Sequence, residues 1–185
     1  MNPMLNFNKA AVAVSLLTLA CAAHLRADAA EDYCTASTGK VVFRQATYNT
    51  NGGTPLPLAQ TKPFCEYTSK SDGSQIDVLL DTLVVTQPTL AVLAYYAKEP
   101  LNSCEGNPAS CYCSQLGGSD SFGGINAAGG GWVNNNVSDA TLEACIFPDM
   151  SSIDSWGLAY YSNGIIRGID LTKVLRYTPP AGDAK

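Results

Sequence analysis

Asn107-Pro108-Ala109-Ser110-Cys111-Tyr112-Cys113, then Gly117-Gly118, then Cys145-Ile146-Phe147-Pro148-Asp149, then Ile153-Asp154-Ser155-Trp156-Gly157-Leu158: this stretch decides how the chain is read. Asn107 suits a helix N-cap, and Pro108 suits the first helical position, where its missing N–H has no helical partner to lose. Gly117 or Gly118 stops that helix. Ala144 to Phe147 and Trp132-Val133 read as strands. Ile153 to Tyr161 reads as a short helix, or a strand turning into one, around Trp156. Ser119 to Asn136 is a loose excursion, because seven of the fifteen residues from Gly117 to Gly131 are glycine.

A fainter copy lies upstream. Tyr33-Cys34 answers Tyr112-Cys113, and Gly39 answers Gly118, each glycine five residues after its cysteine. Cys65-Glu66-Tyr67 answers Cys145-Ile146-Phe147, and Ile76-Asp77 answers Ile153-Asp154. The cysteine intervals are 31 and 32 residues. Lys40 to Tyr48 has the β-branched and aromatic content of a strand, and Phe64 to Tyr67 reads as a second. Asn51-Gly52-Gly53, Pro55 and Pro57 form the loop between them. Ile76 to Val85 fits either a strand or a buried helix, and periodicity alone does not choose. Pro88 then opens a helix whose apolar face is Leu90, Leu93, Ala94 and Ala97, with Tyr95 and Tyr96 beside it and Pro100 as the stop. Leu93-Ala94-Tyr95-Tyr96 recurs as Leu158-Ala159-Tyr160-Tyr161. Ile165 to Leu171 alternates partly, as a late strand would.

The first residues read as a targeting segment. Lys9 precedes a 14-residue apolar run from Ala10 to Ala23, too short for a membrane span, and Ala27-Asp28-Ala29 fits a signal-peptidase site. Thr18-Leu19-Ala20-Cys21 is a looser match to a lipoprotein site, kept as a minor alternative. The expected division is residues 1–29 as signal peptide, 30–100 as module one, 101–178 as module two and 179–185 as tail. Removing the signal takes Cys21 from the seven cysteines and leaves six, which suits a disulfide-bonded protein that is secreted or periplasmic. Six cysteines allow fifteen pairings. The repeat selects Cys34–Cys65 and Cys113–Cys145, leaving Cys104–Cys111 as a local third. The fold class expected is α+β: two tandem small disulfide-stapled modules, each a short helix on a small antiparallel sheet.

With that order of residues, the second module resembles the bacterial "putative hemolysin" domain of unknown function 333, over residues 107–161. Members of that family are small exported proteins or lipoproteins with a cysteine pair and a closing Asp/Glu-Trp-Ala-Leu segment. This chain departs from the pattern at Cys111, in the long glycine-rich loop and at Gly157. The first copy resembles the family only through the second and lacks the tryptophan. The resemblance implies export and carries no activity. No amphipathic membrane segment or long alternating barrel pattern supports pore formation.

Composition narrows the chemistry. The chain has net charge −5, and without residues 1–29 it keeps nine basic and fifteen acidic side chains, about −6. With no basic cluster, binding to nucleic acid lacks its electrostatic drive. No later run is long enough for a transmembrane segment. The single histidine, His24, falls in the signal, so Ser-His-Asp and Cys-His catalysis are absent. The glycine-rich loop lacks the lysine of a phosphate cradle, and Asn136-Val137-Ser138 matches a glycosylation sequon. Cys104, Cys111, Cys113 and Cys145 could make a zinc site, but an oxidising compartment favours disulfides, so no metal and no cofactor is expected.

Asp77, Asp149 and Asp154 are the weak catalytic candidates, with Glu143 as a further carboxylate. The plainer reading of Asp77 and Asp154 is a carboxylate at a helix start. Trp132, Tyr160 and Tyr161 are the binding candidates, with Trp132 expected to be exposed beside the loop and Trp156 expected in the core. The leading reading is a non-catalytic binding module. Its partner would be an extracellular protein, such as a hydrolase to be inhibited, or an envelope polymer. The alternatives are a carboxylate-based secreted hydrolase and a structural envelope protein.

Overall fold

Two long runs of strand-forming residues build the centre of the sheet: β1, Lys40–Tyr48, and β2, Leu56–Thr68, antiparallel, with Val41 opposite Cys65. The computed structural model describes residues 27–50, 52–120, 129–134 and 141–180. Residues 1–26 with Cys21, the middle of the glycine-rich loop, the sequon and the end of the tail therefore lie outside the described residues. Helix α1 covers residues 27–36. It ends where Ser37 N donates to Tyr33 O, Thr38 takes φ 72°, and Gly39 N donates to Cys34 O at 2.9 Å.

Ile76 to Val85 divides between the two candidate structures. Gln75–Leu79 is strand β3, and Leu80–Val84 is helix α2. Thr82 Oγ1 ties α2 down by accepting from Ser152 N at 3.0 Å. Helix α3 is Leu90–Ala97. It starts two residues after Pro88, because Asp149 Oδ2 accepts from Leu90 N and Ser151 Oγ from Ala91 N. Its buried face is Ala91, Val92 and Tyr95, leaving Leu90 and Leu93 exposed. The expected face is therefore wrong. The ring of Tyr95 sets the true one by stacking on Tyr161, with centroids 3.9 Å apart.

Helix α4, Pro108–Gln115, is capped as expected: Asn107 Oδ1 accepts from Ala109 N at 2.9 Å and Ser110 N at 3.3 Å. Strands β4, Gly130–Val133, β5, Ala144–Ile146, and β6, Ser152–Asp154, follow, and β6 runs straight into helix α5, Ser155–Ser162. Ile165 to Leu171 forms no strand. Gly164 and Gly168 hold positive φ there, and the segment is loop followed by a 3-10 turn, Leu171–Lys173. The chain then straps the first half: Tyr33 Oη donates to Val174 O at 2.7 Å and Arg176 N to Leu83 O at 3.1 Å.

Each half was expected to carry its own small sheet, but the strands form one antiparallel sheet, ordered β4-β1-β2-β3-β6-β5. It is continuous because Val78 of β3 pairs with Ile153 of β6, while β4 crosses to pair with β1. The two edges also meet. Leu142, just before β5, exchanges backbone hydrogen bonds with Trp132 of β4, at 2.9 and 3.0 Å. The sheet is thus curled nearly closed, which protects edges that would otherwise pair with other chains. Ala46, Phe64, Leu79, Trp132, Leu142 and Ala144 pack inside the curl. The helices cover the outside, where Leu83 of α2 and Leu158 of α5 pack with Tyr67, Ile76, Val78 and Ile153 of the sheet.

The disulfides are Cys34–Cys65, Cys104–Cys111 and Cys113–Cys145, the pairings the repeat selects. The first and third each pin a helix to a strand, α1 to β2 and α4 to β5. The fixed spacing to Gly39 and Gly118 has a steric cause. A Cβ at Gly39 would overlap both sulfurs of Cys34–Cys65, and one at Gly118 both sulfurs of Cys113–Cys145. Val78 lies opposite Cys65 and Ile153 opposite Cys145, so Val78, not Ile76, holds the place of Ile153. Asp77 accordingly matches Ser152 by position, and its likeness to Asp154 is one of sequence only.

Candidate functional site

Within β1, Val42, Arg44 and Ala46 share the inward parity, so a cation stands among residues chosen for burial. Arg44 is only 3% exposed. Its Nη2 donates to Glu66 Oε2 at 2.9 Å and its Nε to Asp77 Oδ1 at 3.2 Å. Glu66 and Asp77 are direct partners in the β2–β3 ladder, which is why one guanidinium reaches both. Arg44 Nη1 is buried and has no acceptor among the described residues. A buried donor left in that state forfeits the hydrogen bonds it made to water.

The pairing of Val78 with Ile153 sets Asp77 opposite Asp154 on the same inner face. Residues so placed have Cβ atoms roughly 4.5–5.5 Å apart. Asp154 also caps α5, its Oδ1 accepting from Trp156 N at 3.0 Å. One turn on, Tyr160 falls beside Trp156, as an i, i+4 spacing requires, with ring centroids 5.9 Å apart. Arg167 lies over the Tyr160 ring at 5.2 Å and donates from Nε to Gln75 O at 3.2 Å. Glu143 is held by Asn107, whose Nδ2 donates to it at 2.9 Å. Asp77, Glu143, Asp154, Trp156, Tyr160 and Arg167, with Arg44, line an open cavity of about 340 Å³, at the small end of ligand pockets.

Burial dominates the ionisation of the paired carboxyls. Burial pushes Asp77 up to about 7; Arg44 opposes this, and Asp154 and Glu66 add to it. Burial likewise raises Asp154 to about 6, against Arg167 and the N–H groups of Gly157 and Trp156. The two carboxyls therefore exchange protons near neutral pH, where general acid–base groups work and where a carboxyl can act as donor or acceptor.

The candidates drawn from the sequence separate cleanly. Asp77 and Asp154 meet in the cavity, with Glu143 at its wall. Asp149 does not. It caps α3, where, despite a burial effect in the other direction, donors at Ser151 and Leu90 hold it below the ordinary carboxylate range. Asp154 fits the helix-start reading; Asp77 instead pairs with Arg44. Trp132 is not the exposed aromatic expected. It pairs with Ala46 across the β1–β4 ladder, points inward, and packs edge-on against Phe64 at 5.6 Å, leaving it 3% exposed. Tyr161 is buried in its stack on Tyr95, whereas Tyr160 is 36% exposed and faces the cavity. Trp156 is half-buried and forms the cavity wall, not core alone.

Sequence reasoning missed Arg44, Glu66, Gln75 and Arg167. Arg44 did leave a signal, as a charge at an inward position of an alternating strand; Arg167, on an irregular loop, left none. No group of three or more residues able to hold a metal occurs among the described residues. No helix there is long and apolar enough to cross a membrane. No family model, curated protein or solved structure matches this chain. Function therefore rests on the site's own chemistry.

Proposed function

We propose that this is an exported, non-catalytic binding protein that draws a small polar group of an envelope polymer or extracellular protein into the cavity between β1, β3, β6 and α5. On this reading residues 1–29 direct the chain to the periplasm or the medium, where its three disulfides persist. The chain is two related halves, each with its own bridge, sharing one sheet, and the second half is akin to the putative hemolysin family at residues 107–161. The observation that carries the binding role is Arg44 Nη1, a buried donor without an acceptor, beside two protonatable carboxyls. Groups in that state cost stability unless a ligand completes them.

The test is capture from envelope extract by the oxidised full chain, compared with Tyr160→Ala. Specific capture that weakens in the variant supports the role; no capture, or capture indifferent to the substitution, counts against it. Hydrolysis is the second reading, favoured by the placing of Asp77 directly opposite Asp154. It requires product release from an envelope glycan by the wild-type chain and none by Asp154→Asn.

A further inference from the structure

We infer that the group bound in this cavity is a single neutral sugar ring, held by adjacent hydroxyls on Arg44, Asp77 and Asp154 and laid against Trp156 and Tyr160. This rests on the binding role proposed above and specifies its ligand.

The inner wall offers opposite kinds of hydrogen-bonding group side by side. Arg44 has a donor to place, while Asp77 and Asp154 offer carboxyl oxygens across one strand pairing. A hydroxyl donates one proton and accepts through two lone pairs, so one hydroxyl can serve a guanidinium and a carboxylate together. Two neighbouring hydroxyls on a ring can engage the two carboxyls and Arg44 at once.

Charged ligands fit worse. A cation would meet Arg44 and Arg167 and would leave Arg44 Nη1 as it is. An anion would meet Asp77, Asp154 and Glu143. A neutral polyol satisfies both signs and carries no ionic desolvation cost. The raised proton affinity of both carboxyls points the same way, since a protonated carboxyl can itself donate to a hydroxyl oxygen.

The outer wall supplies the apolar counterpart. Trp156 and Tyr160 stand a helical turn apart, and a flat aromatic with a polar tip suits a ring that is apolar on its faces and polar at its edge. Arg167 over Tyr160 sets the orientation of that wall. A cavity of about 340 Å³ admits one such ring, so the ligand enters as a chain end or a branch.

The experiment is titration of the oxidised full chain with methyl glycosides of glucose, galactose, mannose and N-acetylglucosamine, followed by tryptophan fluorescence and calorimetry. Benzamidine serves as the cationic probe and inorganic phosphate as the anionic one. At least one neutral glycoside should bind, and Tyr160→Ala, at an exposed position, should weaken it about tenfold or more while leaving the unfolding midpoint in place. Arg167→Gln, also outside the core, should weaken it less. The inference is overturned if no neutral glycoside binds at millimolar concentration, if Tyr160→Ala leaves the affinity unchanged, or if benzamidine or phosphate binds there instead. Extract capture that depends on Tyr160, without glycoside binding, would overturn the sugar ligand and leave the binding role standing. Failure of both would remove both.

Discussion

Replacing Asp154 by asparagine tests the electrostatics of the cavity directly. The amide keeps the Oδ1 acceptor that Trp156 N uses, so that bond of the α5 cap survives while the titration disappears. In the folded chain Asp154 is raised from 3.8 to about 6. A raised value means that the folded state holds this proton more tightly than the unfolded state. Its contribution is complete below the unfolded value and is lost as pH rises through the folded one. The difference corresponds to on the order of 3 kcal/mol. Asp77, raised from 3.8 to about 7, adds a loss of the same sign over an interval that runs on to about pH 7. Asp149 is lowered instead, and its contribution weakens only at the acid end, as pH falls below about 4. Urea unfolding of the oxidised protein should therefore show stability falling from pH 4.5 to pH 8, by roughly a few kcal/mol. In Asp154→Asn the fall should be visibly shallower, and at pH 8 the variant should be more stable than the wild type. A wild-type profile that rises over this interval, or a variant profile parallel to it, would refute the assignment of buried protonated carboxyls.

Removing Cys113–Cys145 as a double alanine variant releases a loop of 32 residues, which chain entropy puts at roughly 4 kcal/mol. Removing Cys104–Cys111, a separation of 7, should cost nearer 2–3 kcal/mol by the same measure; the urea midpoints should rank in that order. Gly118→Ala places a methyl against both sulfurs of Cys113–Cys145. Non-reduced mass mapping and thiol titration should therefore find that bridge incompletely formed, whereas Gly73→Ala, which meets no neighbouring atom, should leave all three intact. Trp132→Ala empties the inside of the curl and should cost about 3–5 kcal/mol by urea unfolding, far more than an exposed aromatic would.

How much of this was legible in the sequence depended on whether the cause was local. The Asn107 cap follows from a short-range rule, because a cap is made by residues of fixed spacing, whereas the long bridges, 31 and 32 residues apart, were legible only through the repeated Cys-to-Gly pattern. The face of α3 did not follow. Its burial is set by a tyrosine stack between residues 95 and 161, and Leu90 and Leu93 lie outside it. The continuity of the sheet was equally hidden. A repeated strand pattern is compatible with two separate sheets or one shared sheet, and the choice is made by single pairings such as Val78 with Ile153. Trp132 was misplaced for a related reason: a neighbouring glycine run suggests a loop, while the β1 register turns that side chain inward.

The cavity could not have been read from either half of the chain alone, because it belongs to neither. Arg44, Gln75 and Asp77 come from the first half; Glu143, Asp154, Trp156, Tyr160 and Arg167 come from the second. The pairing of Val78 with Ile153 is what brings the two sets together, and it does so unevenly. On one side of the seam the carboxyl belongs to a strand and is paired with a guanidinium. On the other it begins a helix that carries the aromatic wall. The seam thus has its guanidinium donor on one side and its aromatic surface on the other, the asymmetry that the proposed ligand would use to take one orientation.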